Sequence, residues 1–258
     1  MLTEVHPSAI VDPAAELDTR VAVGPFTVIG PRVEVGAGTR IASHVVIERN
    51  TRLGEMCSVG TGSVLGGDPQ DKKFAQEETW LEVGNETDIR EYCTLHRGTS
   101  ARGKTSVGRG CFIMAYVHIA HDCLIEDGVV LANAVQLAGH VHIEEYASVG
   151  GLTPIHQFVR VGTHAFVGGG SRLPQDVPPY TRAAGNPYRL YGINTIGLTR
   201  AGFDPAVRLA LKHAYRLLFN SKLTQTQAVD QLRRESFAVP EVMRLVDFVS
   251  SSERGVLV

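Results

Sequence analysis

One tryptophan stands among the 258 residues, and aromatic residues make up only 7% of them. The four cysteines, Cys57, Cys93, Cys111 and Cys123, show neither paired spacing nor a CxxC. A disulfide framework is therefore not expected, and the thiols read as reduced, in a cytoplasmic protein. No apolar run approaches the length of a membrane span. The opening stretch carries Glu4 and Asp12 without an apolar core segment, so a secretory signal is not expected either. A dense basic stripe is missing and the pI is about 6.6, which argues against nucleic acid as a partner. The length allows one or two domains.

What the chain has instead is glycine, 27 of them, and a period of six. Counting in sixes from Val5 to Leu173 gives 29 positions, of which 26 are Val, Ile or Leu. The exceptions are Asp71, Glu77 and Ala101, and Gly often follows the aliphatic residue, as at Val23-Gly24 and Val107-Gly108. Six fits neither the 3.6 period of a helix nor the alternation of a half-buried strand. It fits a triangular coil of three short strands, one inward aliphatic per face, with coils stacked at about 4.8 Å. The expectation is a mainly β protein, a parallel β-helix of the hexapeptide-repeat type.

The rhythm fails twice, near 66–82 and near 96–106, at polar Gly/Pro-rich stretches that read as excursions from the coil. Between Val107 and Leu173 it is unbroken, so residues 18 apart stack. That puts His121, Gly139 and Gln157 in one file. Asp122, His140 and Phe158 stand on one side of it, and Ala120, Ala138 and His156 on the other. His121, His140 and His156 thus gather within about 10 Å, two coil spacings, with His118 just upstream where the coil turns.

A neutral imidazole is a natural general base near pH 7. Gly139 leaves a backbone N–H unshielded by a side chain, which suits an oxyanion donor. No Ser or Cys shares the file, so the pattern favours direct attack of a substrate hydroxyl or amine on an acyl group. Zinc is the rival reading, because other hexapeptide prisms use three histidines as ligands. Those sites resemble a histidine pair five residues apart, and no pair here has that spacing; no metal is expected.

Past Leu173 the signals turn helical. Asp204 reads as an N-cap with Pro205 at the first position of a helix ending near Asn220. Thr224 starts a second helix through Leu232, and Pro240 a third through Phe248. The division expected is a prism over 1–193 and a small α-helical domain over 194–258. From Arg200 onward nine Lys/Arg face six Asp/Glu, a net of +3 against −5 for the remainder, which points to an acidic macromolecular partner.

Several segments together resemble one family, the UDP-N-acetylglucosamine O-acyltransferases that start lipid A synthesis. They are PQDKKF at 69–74, LHRGT at 95–99, HIAHDC at 118–123, LAGHV at 137–141, IHQF at 155–158, QDVPPY at 175–180 and GLTRAGF at 197–203. The resemblance runs essentially end to end. It implies a homotrimer of left-handed prisms with active sites between neighbours, and no tightly bound cofactor. It further implies transfer of an (R)-3-hydroxyacyl group from the 4'-phosphopantetheine of acyl carrier protein to the glucosamine 3-OH. His121 falls where the family keeps its general base, Asp122 where that base is oriented, and Gly139 at the oxyanion donor. His118, His140, His156, Gln157, Asp71, Lys73, Asn194 and Arg200 match contacts to sugar nucleotide or pantetheine, with Asp71 and Lys73 reaching a neighbouring subunit. Gly169 matches the place where the acyl groove is open or blocked. The chain departs from the family at Ile196, where Glu is common. Some relatives acylate a 3-amino sugar, so ester and amide products both stay open. The N-acyltransferase of the same pathway, which carries an additional uridine-binding domain, and a non-catalytic hexapeptide scaffold are the alternatives.

Overall fold

The computed structural model describes residues 2–235 and 239–256. Residues 2–167 wind into a three-faced prism of two- to four-residue strands, each paired in parallel with the strand of the next coil. The first face starts at Glu4–Val5, the second at Ile10–Val11 and the third at Glu16–Leu17. In the unbroken region the register is the expected eighteen, as in Phe112↔Val130, His118↔Gln136 and Leu124↔His142.

The periodic aliphatics point inward. Ile47, Leu65, Leu95, Ile119 and Leu137 are fully buried, each worth about 1.5–3 kcal/mol against exposure. A second inward row is polar but satisfied across coils. Thr27, Thr39 and Thr87 donate to the carbonyls of Ala42, Gly54 and Gly108 at 2.7–2.8 Å. The four cysteines fill the same row, with Sγ 3.1–3.2 Å from the carbonyls of Gly84, Met114, Glu126 and Ala138. All four are free thiols, and burial pushes Cys123 up to about 12; they are packing groups without thiolate reactivity. Gly36 is required by the stacking itself, since a Cβ there would lie 2.6 Å from the Gly54 carbonyl carbon of the next coil.

Both excursions are shorter than expected. Trp80–Val83 and Lys104–Val107 are already strand and pair with each other, so the loops are 68–79 and 97–103. Thr105 is buried in the second inward row, but the count in sixes fails at Ala101, which hid the return of the coil. Leu65 pairs with Leu95 and Leu95 with Ile119. Those offsets of thirty and twenty-four exceed a coil by twelve and six residues. The inserts are whole hexads, so the count in sixes survives while the count in eighteens does not.

The coil ends in an antiparallel hairpin, Thr181–Gly185 with Tyr188–Ile193. Four helices follow among the described residues. The first, α1 (Thr195–Arg200), overlaps the start of the GLTRAGF segment and was not expected; the Asn194 side chain caps it by accepting from Gly197 N. Asp204 caps α2 (Pro205–Asn220) through Ala206 N. Thr224 and Gln227 form a reciprocal cap on α3 (Gln225–Glu235), which runs three residues past the expected Leu232. α4 spans Pro240–Ser250. Leu198, Leu211, Leu232 and Leu245 centre a second apolar cluster, separate from the prism core. Arg244 of α4 ties the helices to the prism through Glu144 and Glu145.

Candidate active site

Both loops leave from one corner, the edge between the second and third faces. Asp122, His140 and Phe158 stack along this edge, each in the left-handed region at φ 60–64°. That conformation is uncommon outside glycine, and here it turns the chain while holding these side chains outward. The His140 and Phe158 rings stack at 4.5 Å.

His121 is the residue before this edge. Its Nδ1 lies 2.8 Å from Asp122 Oδ2. The Asp122 carboxylate is fully buried. It accepts the Thr99 N–H at 2.9 Å and the Thr99 hydroxyl at 2.7 Å. Burial pushes the Asp122 carboxyl up, but hydrogen bonds from His121 and Thr99 outweigh it and hold it below the usual range. An ionised acceptor at Nδ1 selects the tautomer with the proton there and leaves Nε2 as a lone-pair base.

Below the ring lies Gly139. A Cβ at that position would come within 2.7 Å of His121 Nε2, so any larger residue would displace the ring from this position. Among the described residues, nothing accepts the Gly139 N–H. The equivalent N–H groups of Glu145 and Thr163, on another corner, are taken by the carboxylates of Glu126 and Glu144. A general base and an unclaimed N–H donor thus sit side by side, the arrangement that acyl transfer through an oxyanion requires.

The surrounding imidazoles are held neutral. Burial lowers the pKa of His118, and His121 adds to it; the His118 Nδ1 pairs with Thr94 Oγ1 at 2.7 Å. Burial also lowers that of His140, against the pull of Asp122. His140 Nε2 lies 3.7 Å from Asp122 Oδ2. His121, Asp122 and His140 bring one donor atom each within 4.8 Å of one another, as a metal triad could, but three hydrogen bonds already occupy the Asp122 carboxylate.

Three neighbours escaped sequence reasoning. His96 is buried edge-on against His118 at 4.9 Å, with its pKa lowered to about 4 by burial first and by His118 and His121 next. Thr99 holds Asp122 as described. Arg102 is close enough to depress the His140 pKa. All three lie in or beside the 97–103 loop, and LHRGT was the signal available for His96 and Thr99.

The other expected residues divide among corners. Asp71 and Lys73 are in the 68–79 loop, rooted at His121's own corner. The Asp71 carboxylate accepts Lys73 N at 2.9 Å and acts on the His140 of its own chain. Gln157 and His156 are exposed on the coil above Gly139. Asn194 and Arg200 are elsewhere. They line a cavity of about 1100 Å³ at the corner between the third and first faces, with Tyr146, His164, Lys212 and Arg216. Ile196, 64% exposed, lines it too. Gly169 is exposed at the remaining corner, under the Gly151 carbonyl. One chain does not unite these groups.

Residues 176–257 match the family model described as "Udp N-acetylglucosamine O-acyltransferase; Domain 2", and 104–139 match "Bacterial transferase hexapeptide (six repeats)". The acyl-[acyl-carrier-protein]–UDP-N-acetylglucosamine O-acyltransferase of Alkalilimnicola ehrlichii is 48% identical, over 99% of this chain and 100% of that one. Its namesake from Burkholderia lata is 47% identical over the same shares. The solved structure of LpxA from Acinetobacter baumannii superposes with a TM-score of 0.96 at 43% identity, covering 98% of this chain and 99% of that one. The UDP-N-acetylglucosamine O-acyltransferase of Moraxella catarrhalis gives 0.95 at 40%, covering 97% and 98%. These likenesses give the coil its hand, a left-handed parallel β-helix with a small C-terminal helical region. Matched end to end in sequence and in fold, the chain belongs to the UDP-N-acetylglucosamine O-acyltransferase family.

Proposed function

We propose that this chain transfers an (R)-3-hydroxyacyl group from the phosphopantetheine thioester of acyl carrier protein to the 3-OH of UDP-N-acetylglucosamine, the first step of lipid A synthesis. The relatives' names supply donor and acceptor. The carrying observation is the His121–Asp122 hydrogen bond beside the unclaimed N–H of Gly139. His121 Nε2 takes the proton of the acceptor hydroxyl as its oxygen attacks the thioester carbonyl. Asp122 keeps the imidazole oriented and offsets the charge it gains. The oxyanion draws on Gly139 N–H. Collapse breaks the C–S bond, and the departing thiolate recovers the proton from His121. No tightly bound cofactor enters this scheme.

The working unit in this reading is a homotrimer with sites between neighbours. Two features support it. Asn194 and Arg200 stand on a different corner from His121 in one chain. Tyr92, Tyr116 and Leu152 also leave an apolar edge 51–73% exposed along the corner between the first and second faces. The site is placed in the cytoplasm, where carrier-bound donor and sugar nucleotide meet.

The test is thiol release from carrier-linked 3-hydroxyacyl donor on addition of UDP-N-acetylglucosamine, with alkaline cleavage of the product. Release with an alkali-labile product supports an ester. A stable product obtained only with a 3-amino acceptor overturns the acceptor assignment, and no release with either leaves a scaffold.

A further inference from the structure

Residues 252–256 are laced to the segment leaving the prism. Ser252 donates to Asp176 Oδ2 at 2.7 Å, Asp176 N to the Gly255 carbonyl at 3.0 Å, and the Gln175 side chain to the Arg254 carbonyl at 3.4 Å. This lacing fixes the Arg254 guanidinium. One of its nitrogens lies 3.0 Å from the Pro174 carbonyl and 3.1 Å from His156 Nδ1. The tail thus reaches a histidine 98 positions earlier in the chain.

A guanidinium has five donors, no lone pair, and does not lose its proton. Its contact with His156 requires that Nδ1 accept, which puts the imidazole proton on Nε2. A second contact pulls the other way: the Gln157 carbonyl lies 3.2 Å from the same Nδ1 and would be served by a proton there. Both contacts cannot be satisfied together. The charged donor is the stronger partner, and removing it would hand Nδ1 its proton back and turn Nε2 from donor to acceptor.

We propose that Arg254 is a positioning residue that sets the tautomer of His156, so that His156 presents an N–H to a substrate oxygen. The inference rests on the proposed function only in naming that oxygen as part of the sugar nucleotide or the pantetheine arm.

The test uses the full-length protein labelled with ¹⁵N-histidine, His156 being assigned by the resonance lost in His156→Gln. In the wild type, His156 should show protonated Nε2 and bare Nδ1. Arg254→Met should reverse the pair, and Arg254→Lys, which keeps a cationic donor, should restore part of it. In steady-state assays with UDP-N-acetylglucosamine and carrier-linked donor, Arg254→Met should raise by about tenfold the same KM that His156→Gln raises. It should change kcat much less, and the double variant should be no worse than the worse single one. A wild-type His156 protonated at Nδ1, or a tautomer indifferent to Arg254→Met, overturns the proposal. Absence of acyl transfer in the wild type would strike the functional reading instead and leave the tautomer result standing.

Discussion

Gly139 lies so close to His121 that a Cβ on it would meet the imidazole Cε1 at 2.6 Å and Nε2 at 2.7 Å. Gly139→Ala keeps the N–H but displaces the base. Misplacement on the scale of 1 Å costs about 10²-fold in rate, so kcat should fall by that order with circular dichroism unchanged. Retention of full turnover would mean that His121 has room to swing and that the contact is incidental.

His121→Ala removes the base itself. The expected loss in kcat is about 10²–10⁴-fold, with the assembly intact by light scattering. Asp122→Asn should fall in the same direction, because an amide can turn its NH₂ toward Nδ1 and invert the tautomer. If saturating substrates restore wild-type turnover to His121→Ala, the proton is taken by another group.

Arg200, Lys212 and Arg216 line the cavity, whereas Arg208 is engaged with Thr199. Acyl carrier protein is acidic. Reversing Arg200, Lys212 or Arg216 to Glu should raise the KM for carrier-linked donor, and added salt should mimic the change, since exposed charges are screened over about 10 Å at 0.1 M. Arg208→Glu should do less to donor use and more to stability. A donor KM unmoved by both salt and reversal places carrier docking on another surface.

Gly169 is exposed, with Gly151 O 3.2 Å from where its Cβ would stand. The family resemblance leads us to expect that its hydrogen leaves an acyl groove open to chains of about fourteen carbons. Each buried CH₂ contributes about 0.8 kcal/mol, so Gly169→Met, by excluding several, should shift preference tens-fold toward chains of about ten carbons. Competition between carrier-linked donors of different length reads this directly. An active mutant with unchanged preference makes Gly169 a turn residue and nothing more.

Below neutral pH the buried imidazoles should limit stability. Burial, then His118 and His121, take the His96 pKa from 6.5 to about 4. The unfolded chain therefore binds a proton below pH 6.5 that the folded chain refuses until about pH 4, and stability falls as pH drops through that window. His118 and His140, also lowered, act in the same sense. Asp122 does not enter, because its contribution is lost only below the ordinary 3.8. Urea midpoints at pH 7 and 4.5, at one protein concentration, should differ less in His96→Gln than in the wild type. Equal differences would remove His96 from the account.

The prism was legible because its signal is repeated: 26 inward positions out of 29 each restate the fold. The His121–Gly139–Gln157 file was legible for the same reason, since it lies where the register is an uninterrupted eighteen. The role of Thr99 was not. It meets Asp122 across a six-residue insert, and the offset such an insert adds to the coil cannot be counted from sequence. The separation of Asn194 and Arg200 from His121 was equally hidden, because the hairpin and α1 follow no period. Both excursions were drawn too wide because the count in sixes fails at Glu77 and Ala101, just before each strand resumes.

A stack of near-identical storeys has a problem that a unique core does not. Sliding one half past the other by eighteen residues swaps Val for Ile and Leu for Val, and hardly any contact objects. The two loops at the His121 corner supply what the repeat withholds. They make one pair of storeys unlike all others, so a slipped alignment leaves twelve or six residues with nowhere to go. The inserts that carry Asp71 and Thr99 to the His121 corner are therefore also the chain's street numbers, and shortening either by a whole hexad should cost fidelity of folding as well as activity.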